Sequence, residues 1–492
     1  MIRDIKNQLA QAQIQHPSSA GEFGVARCEI SPPLGIHARM WGSATHETAV
    51  GLHRPLTATV VVFRAETRRK PLVLASLDLG WWRSREDEWF LRKPLLDKYG
   101  LDESELLLHL THTHSGPTIS LHCEEKPGGD KIRPYLESVR GELDKAIEQA
   151  MATTLPGLLS WHTGRCQLAC FRDQEDPQGS GAVVGYAPEV RADDTLLVGR
   201  VTDSSHKAVA TLVNYACHPT TLGAKNRLIS PDYVGAMREV VEQATQGAPC
   251  LFLNGAAGDL APRRQYVGDV SVADQNGRQL GHAVLATLAD MLPPNTALAF
   301  DGIEESAARL GRWKLIEHAA NNTCRIQKWE VQLPLMPVEQ LEQESLQLEG
   351  SDRATIERLE RMILLRRNTV EAPTAPLPIW LWKLGDMVLV GLPAEMHSPF
   401  QISLRQKFPD CAVVVANIVN GTCAYLPPSG DFARDTYQCN TTLFQPGAHE
   451  IVLESCLSAI ERLVYEGRMD SPMPAPHFAR PQAESLITGD YR

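Results

Sequence analysis

No run of about eighteen apolar residues occurs in this 492-residue chain, which excludes a membrane-spanning helix read from sequence. There is no block of Lys and Arg, and the formal net charge is -11. Nucleic acid is therefore excluded as a partner, since neutralising phosphates needs clustered positive charge. The N-terminus, Met1 to Gln13, lacks the apolar core of a secretory signal. The eleven cysteines are an odd number without C-x-x-C spacing, and several, such as Cys250 and Cys411, adjoin apolar runs. That pattern reads as buried free thiols in a reducing compartment, so a cytoplasmic location without membrane association is expected. No internal repeat is visible. The rest is ordinary globular composition, 43% hydrophobic and 22% charged.

What the chain does have is a series of apolar runs that stop at polar, chemically capable residues. Leu106 to Leu110 leads into His112-Thr-His114-Ser-Gly-Pro117. An apolar run ending at a turn signal reads as a buried strand meeting a loop. If the strand continued through them, His112 and His114 would share one face and His109 the other. Ala208 to Cys217 stops at His218-Pro219, and Cys250 to Asn254 runs into Gly255-Ala-Ala-Gly-Asp259. Met387 to Pro393 ends at Glu395, and Cys411 to Ile418 precedes Tyr425. Asp78, at the tip of the run from Leu72, reads first as a structural carboxylate.

Between these runs lie helical periodicities at residues 132–151, 274–291 and 448–465, and a helix opened by Ser230-Pro231. Antiparallel-looking pairs at 56–79, 195–216 and 380–392 argue for a mixed sheet. The expected fold is α/β: one large domain over residues 24–465, with helices packed on a mixed sheet core. A polar arm is expected over 1–23, a charged helical excursion over about 337–367, broken at Gly350-Ser-Asp352, and a Pro-rich tail over 466–492. The excursion is a candidate lid or oligomer contact, so a homo-oligomer is possible from sequence.

The strand-end residues make a chemical set. Two imidazoles and a carboxylate are a common catalytic zinc set with an open water position. A phenol adds a ligand or a donor to a developing oxyanion, and a second imidazole or an aspartate near the water can shuttle its proton. Spacing alone leaves the alternative open that these are core-edge residues satisfied by backbone groups.

The motifs resemble those of the neutral/alkaline, non-lysosomal ceramidase family, specifically its N-terminal catalytic domain. His112-Thr-His-Ser-Gly-Pro117 resembles H-T-H-S-G-P, and Asn214-Tyr-Ala-Cys-His-Pro219 the strand that delivers a second zinc histidine. Gly258-Asp-Leu-Ala-Pro-Arg263 stands where the family has G-D-V-S-P-N. Pro393-Ala-Glu395 resembles P-G-E, and Asn420 to Tyr425 resembles N-x-x-x-G-Y with Ala424 replacing the glycine. Gly24 to Pro33 and Gly51 to Leu56 also resemble family segments. The resemblance implies one Zn2+ per chain held by His112, His218, Glu395 and Tyr425. It makes His114 a neighbour of the metal water, with His114 and Asp259 as candidate proton shuttles.

The departures shape the expected substrate. The family's serine falls on Ala261, so a serine-based covalent route is excluded there and direct attack by zinc-bound hydroxide remains. Arg263 and Arg264 follow, and two guanidinium groups suit a carboxylate or phosphate better than a sphingoid chain. His37 and His53, with Arg39 and Trp41, are further candidates for the pocket wall. The C-terminal β-sandwich of lipid-hydrolysing members is not expected in this length. The expectation is a zinc-dependent hydrolase, an amidase acting on a small polar or anionic N-acyl compound. Alternatives are a metal hydrolase of an ester or cyclic amide, a non-catalytic binding protein on this fold, and a true ceramidase.

Overall fold

The structure is a computed structural model. It describes residues 13–465 apart from 180, 338, 340–342, 344–351 and 369–372.

Eight strands form the main sheet: β1 (Ser18–Glu29), β2 (Thr57–Arg64), β3 (Leu72–Leu77), β4 (Leu106–Leu110), β5 (Leu155–Arg165), β6 (Thr195–Asp203), β7 (Ala208–Tyr215) and β8 (Cys250–Asn254). Their spatial order is β8-β7-β6-β5-β1-β2-β3-β4. The middle is antiparallel, while each end carries one parallel pair, β3 with β4 and β7 with β8. Parallel neighbours need a crossover. Helix α1 (Arg85–Tyr99) supplies the first, followed in the chain by the long α2 (Ile132–Ala152), and α3 (Tyr233–Ala244) supplies the second. Helix α4 (Val270–Ala289) then packs beside α3.

Each crossover starts with a local signal. Ser84 caps α1 by accepting from Asp87 N, and Gly100 closes it in the left-handed region at φ 60°. In α2 the buried positions Tyr135, Leu136, Val139, Leu143, Ala146, Ile147 and Ala150 follow helical spacing. This apolar face presses so closely on β1 that a Cβ at Gly24 would lie 1.8 Å from the Ala150 carbonyl oxygen.

Beyond the main sheet, β9 (Thr296–Glu304) pairs antiparallel with β10 (Leu310–Glu317). A second sheet contains β11 (Cys324–Pro334), β12 (Thr374–Leu384), β13 (Met387–Leu392) and β14 (Ala412–Asn417), in that order. Helix α5 (Arg353–Asn368) lies in the chain between β11 and β12. Helix α6 (Ser398–Lys407) crosses between β13 and β14, which are again parallel, and α7 (Ala448–Tyr465) follows.

The two sheets share one core. Val61, Leu74, Trp161 and Leu253 of the first pack with Trp380, Trp382, Leu389 and Val414 of the second. Main-chain bonds tie them as well: Leu110 N donates to Ile418 O at 3.0 Å, and Asn420 N to Leu108 O at 3.0 Å. The main sheet curls until its ends meet. Nε2 of the fully buried His109, on β4, accepts from Asn254 N of β8 at 3.1 Å. The expected antiparallel pairs, 56–79, 195–216 and 380–392, are all present.

One expectation changes. The sheet begins at Ser18, inside the expected arm, because Ser18 and Ser19 are already buried beside β5. Residues 1–12 and the tail 466–492 lie outside the described residues, as does most of the first half of the 337–367 excursion. Its second half is α5. Asp78 is structural: it accepts from Thr57 N at 2.8 Å and pairs with the buried Arg238 of α3.

Candidate metal centre

All three parallel units point their strand ends at one place, the position where α/β sheets build sites. The β4 strand stops at Leu110, and His112 adopts φ 70°, so strand alternation does not bring His112 and His114 together; a turn does. Beyond β7 comes His218. Beyond β13, Glu395 begins a two-residue strand, Glu395–Met396, parallel to Tyr425–Leu426. That pairing holds Glu395 and Tyr425 opposite each other. Ala424 before it sits at φ 60°, a conformation that glycine adopts without strain.

Four donor atoms converge. His112 Nε2 lies 3.2 Å from His218 Nε2 and 3.3 Å from Glu395 Oε2. His218 Nε2 lies 3.0 Å from Glu395 Oε2 and 3.4 Å from Tyr425 Oη. Ligand bonds of about 2.0–2.1 Å in a tetrahedron put neighbouring donors about 3.3 Å apart, so these separations fit a zinc ion. The far side of each imidazole is fixed. His112 Nδ1 lies 3.1 Å from Gly80 O, and His218 Nδ1 lies 2.6 Å from Ala257 O. Carbonyl oxygens only accept, so both Nδ1 atoms carry the proton and both Nε2 atoms offer lone pairs. Burial, reinforced by Arg172, pushes His218 down to about 4, which keeps it neutral. Burial raises the Tyr425 phenol well above its ordinary value, and Glu395 adds to this.

His114 stands beside this set. Its ring is 5.0 Å from that of His112 and 5.8 Å from that of His218, between Trp41 at 5.1 Å and Trp81 at 4.8 Å. Neither of its ring nitrogens has a hydrogen-bond partner among the described residues. A three-imidazole set with His112 and His218 is also compact, its nitrogens lying within 4.8 Å of one another. Glu395 Oε2 lies 3.0–3.3 Å from the Nε2 atoms of both His112 and His218. Burial, then His112 and His218, hold His114 well below its ordinary pKa.

The remaining expected site residues are elsewhere. Asp259 is buried, and its two oxygens accept from Ser398 N at 2.7 Å and Ser398 Oγ at 2.6 Å, so it anchors the start of α6. His37 Nδ1 faces Pro127 O at 3.2 Å. His53 lies between Ser230 Oγ at 2.9 Å and Asp274 Oδ1 at 3.2 Å. Both histidines fasten loops. Arg264 is exposed and donates to Gln275; Arg263 is exposed, its guanidinium over the Tyr186 ring. None of these five is brought to the four donors.

Arg172 was missed from sequence. It is buried, donates to Gly258 O at 2.7 Å and to Tyr425 Oη at 3.2 Å, and has no ion-pair partner among the described residues. Its signal is the one used elsewhere: it follows the apolar run Leu168 to Phe171. Gly258 is needed for close approach, since a Cβ there would lie 2.5 Å from the His397 ring and 3.1 Å from Glu395 O.

A profile of the neutral/alkaline non-lysosomal ceramidases, N-terminal part, matches residues 22–271, half of the chain. The chain belongs to that family. The neutral ceramidase of Pseudomonas aeruginosa is 22% identical over 520 aligned positions, covering 92% of this chain and 74% of the relative. The fold is likewise similar to the crystal structure of neutral ceramidase from Pseudomonas aeruginosa, with TM-score 0.64 and 17% identity over 94% of this chain and 77% of that one. A ceramidase complexed with C2 gives TM-score 0.63 at 16% identity, covering 94% and 78%. No helix among the described residues is long and apolar enough to cross a membrane.

Proposed function

We propose that this family member is a zinc-dependent hydrolase that cleaves the amide bond of an N-acyl compound, smaller and more polar than a long-chain ceramide. One observation carries the reading: four donor atoms converge at separations of 3.0–3.4 Å, with both imidazoles locked in the metal-binding tautomer. His112, His218, Glu395 and Tyr425 would hold the metal. Bound zinc would supply a Lewis acid for the scissile carbonyl and lower the pKa of a water.

The chain's own groups do the rest. His114, with no hydrogen-bond partner on either ring nitrogen among the described residues, can take a proton from the attacking water and return it to the leaving amine. Arg172 fixes the Tyr425 phenol. Trp41 and Trp81 hold the His114 ring from two sides. Ala261 is fully buried and has no nucleophilic atom, so nothing covalent forms at that position. All eleven cysteines are free, which supports a reducing, cytoplasmic setting.

The relatives' name, ceramidase, favours a second reading, a ceramidase proper. Purified protein analysed for zinc and assayed on N-acyl amino acids beside a short-chain ceramide separates the two. One zinc per chain with turnover of the polar amides supports the first. Turnover of ceramide alone supports the second, and a metal-free, inert protein sinks both.

A further inference from the structure

Helix α5 carries a cation that the four-donor set does not use. The helix is fastened on several sides. Leu359, Met362 and Leu365 are buried in the second core. Arg353 pairs with Glu47 at 2.6 Å, Glu357 with Arg39 at 3.3 Å, and Arg358 donates to Asn440 O at 2.6 Å. This docking leaves Arg361 half-buried, with its Nη2 3.5 Å from Tyr437 Oη. The Tyr437 ring lies 6.0 Å from that of Tyr425, whose hydroxyl meets Arg172. A continuous row therefore runs Arg172, Tyr425, Tyr437, Arg361.

Neither guanidinium in this row has an ion-pair partner among the described residues, in a chain of net charge -11. Arg353 beside it on α5 is paired. Tyr437 and Tyr425 link the Arg361 guanidinium to the four-donor set by a hydrogen bond and a ring contact. A planar fork of donors left without a carboxylate at the edge of a hydrolytic centre matches a carboxylate brought by the ligand. Field focusing by such a cation also raises the local concentration of anions.

We infer that Arg361 is the specificity residue of this centre and binds a carboxylate on the substrate, so that the substrates are N-acyl compounds with a free carboxylate, such as N-acyl amino acids. This rests on the amide-hydrolase reading above for turnover, but not for binding. It replaces Arg263 and Arg264 as the anion contact.

The test uses zinc-loaded full chain with N-acetylphenylalanine and its neutral twin, N-acetylphenylalaninamide. Binding by calorimetry and turnover are measured for wild type, Arg361→Gln and Arg361→Lys. Wild type is expected to favour the carboxylate by roughly 30-fold in binding and kcat/KM. Arg361→Gln should bring that ratio below about threefold, mostly through KM, and Arg361→Lys should restore part of it. Equal binding of both compounds by wild type, or an unchanged ratio in Arg361→Gln, overturns the inference. Arg361-dependent carboxylate binding without any turnover upholds it and sinks the hydrolase reading. Turnover of both compounds at equal kcat/KM does the reverse.

Discussion

Nε2 of His112 and Nε2 of His218 face each other at 3.2 Å, while the opposite nitrogen of each ring is held by a backbone carbonyl. Two lone pairs at that distance repel unless a cation sits between them. Removing zinc with a chelator should therefore lower the melting temperature, and adding it back should restore it. At free zinc 1,000 times Kd the gain is about 4 kcal/mol. His218→Ala should melt at the same temperature with and without zinc. A zinc-dependent shift that survives in that variant would remove His218 from the ligand set.

Among the described residues His114 has no partner on either ring nitrogen, and it is outside the closest donor set. His114→Ala is expected to keep its zinc, measured by elemental analysis, and to lose about 10²–10⁴-fold in kcat. Loss of zinc instead would make it a ligand, as the compact three-histidine cluster allows.

Asp259 works through Ser398. Replacing it with Asn should lower stability by about 1–3 kcal/mol in urea unfolding. Zinc affinity should weaken about tenfold, because the segment carrying Glu395 loosens. At saturating zinc, kcat should stay within about tenfold of wild type. A drop of 100-fold or more there would restore Asp259 as a proton shuttle.

His109 predicts a pH effect. Burial pushes it down to about 3, against an ordinary value near 6.5. Below pH 6.5 the unfolded chain takes up a proton that the folded chain refuses, so stability falls as pH drops from 6.5 towards 3. The slope is about 1.4 kcal/mol per pH unit. His109→Gln lacks this term. The stability difference between wild type and variant should shrink by about 2 kcal/mol between pH 7 and pH 5. An unchanged difference in urea midpoints would contradict a neutral buried imidazole.

Much of this was legible because strands announce their ends. His112, His218, Glu395 and Tyr425 each stand just past an apolar run, and the structure puts all four at the carboxyl ends of its parallel units. The α/β mixture was legible too, from the antiparallel pairs and from the periodicity of α2. What failed was orientation. Polarity marks His37, His53, Arg263 and Arg264 as capable, but which way a loop side chain turns is decided by partners elsewhere in the chain, such as Ser230, 177 positions away, for His53. The partner of Asp259 is equally remote, since Ser398 is 139 positions further on. Arg361 was hidden in a charged helix that looked peripheral, and only the docking of α5 reveals its direction.

The four donors are distributed unevenly along the chain, at 112, 218, 395 and 425, and two of them follow strands of the second sheet. During synthesis, a chain that has emerged only through α4 carries half of the ligand set. It has no β13 or β14 to close the core around it. The complete cluster is therefore born late, after Tyr425 leaves the ribosome. Until then the two histidines stand without Glu395 and Tyr425.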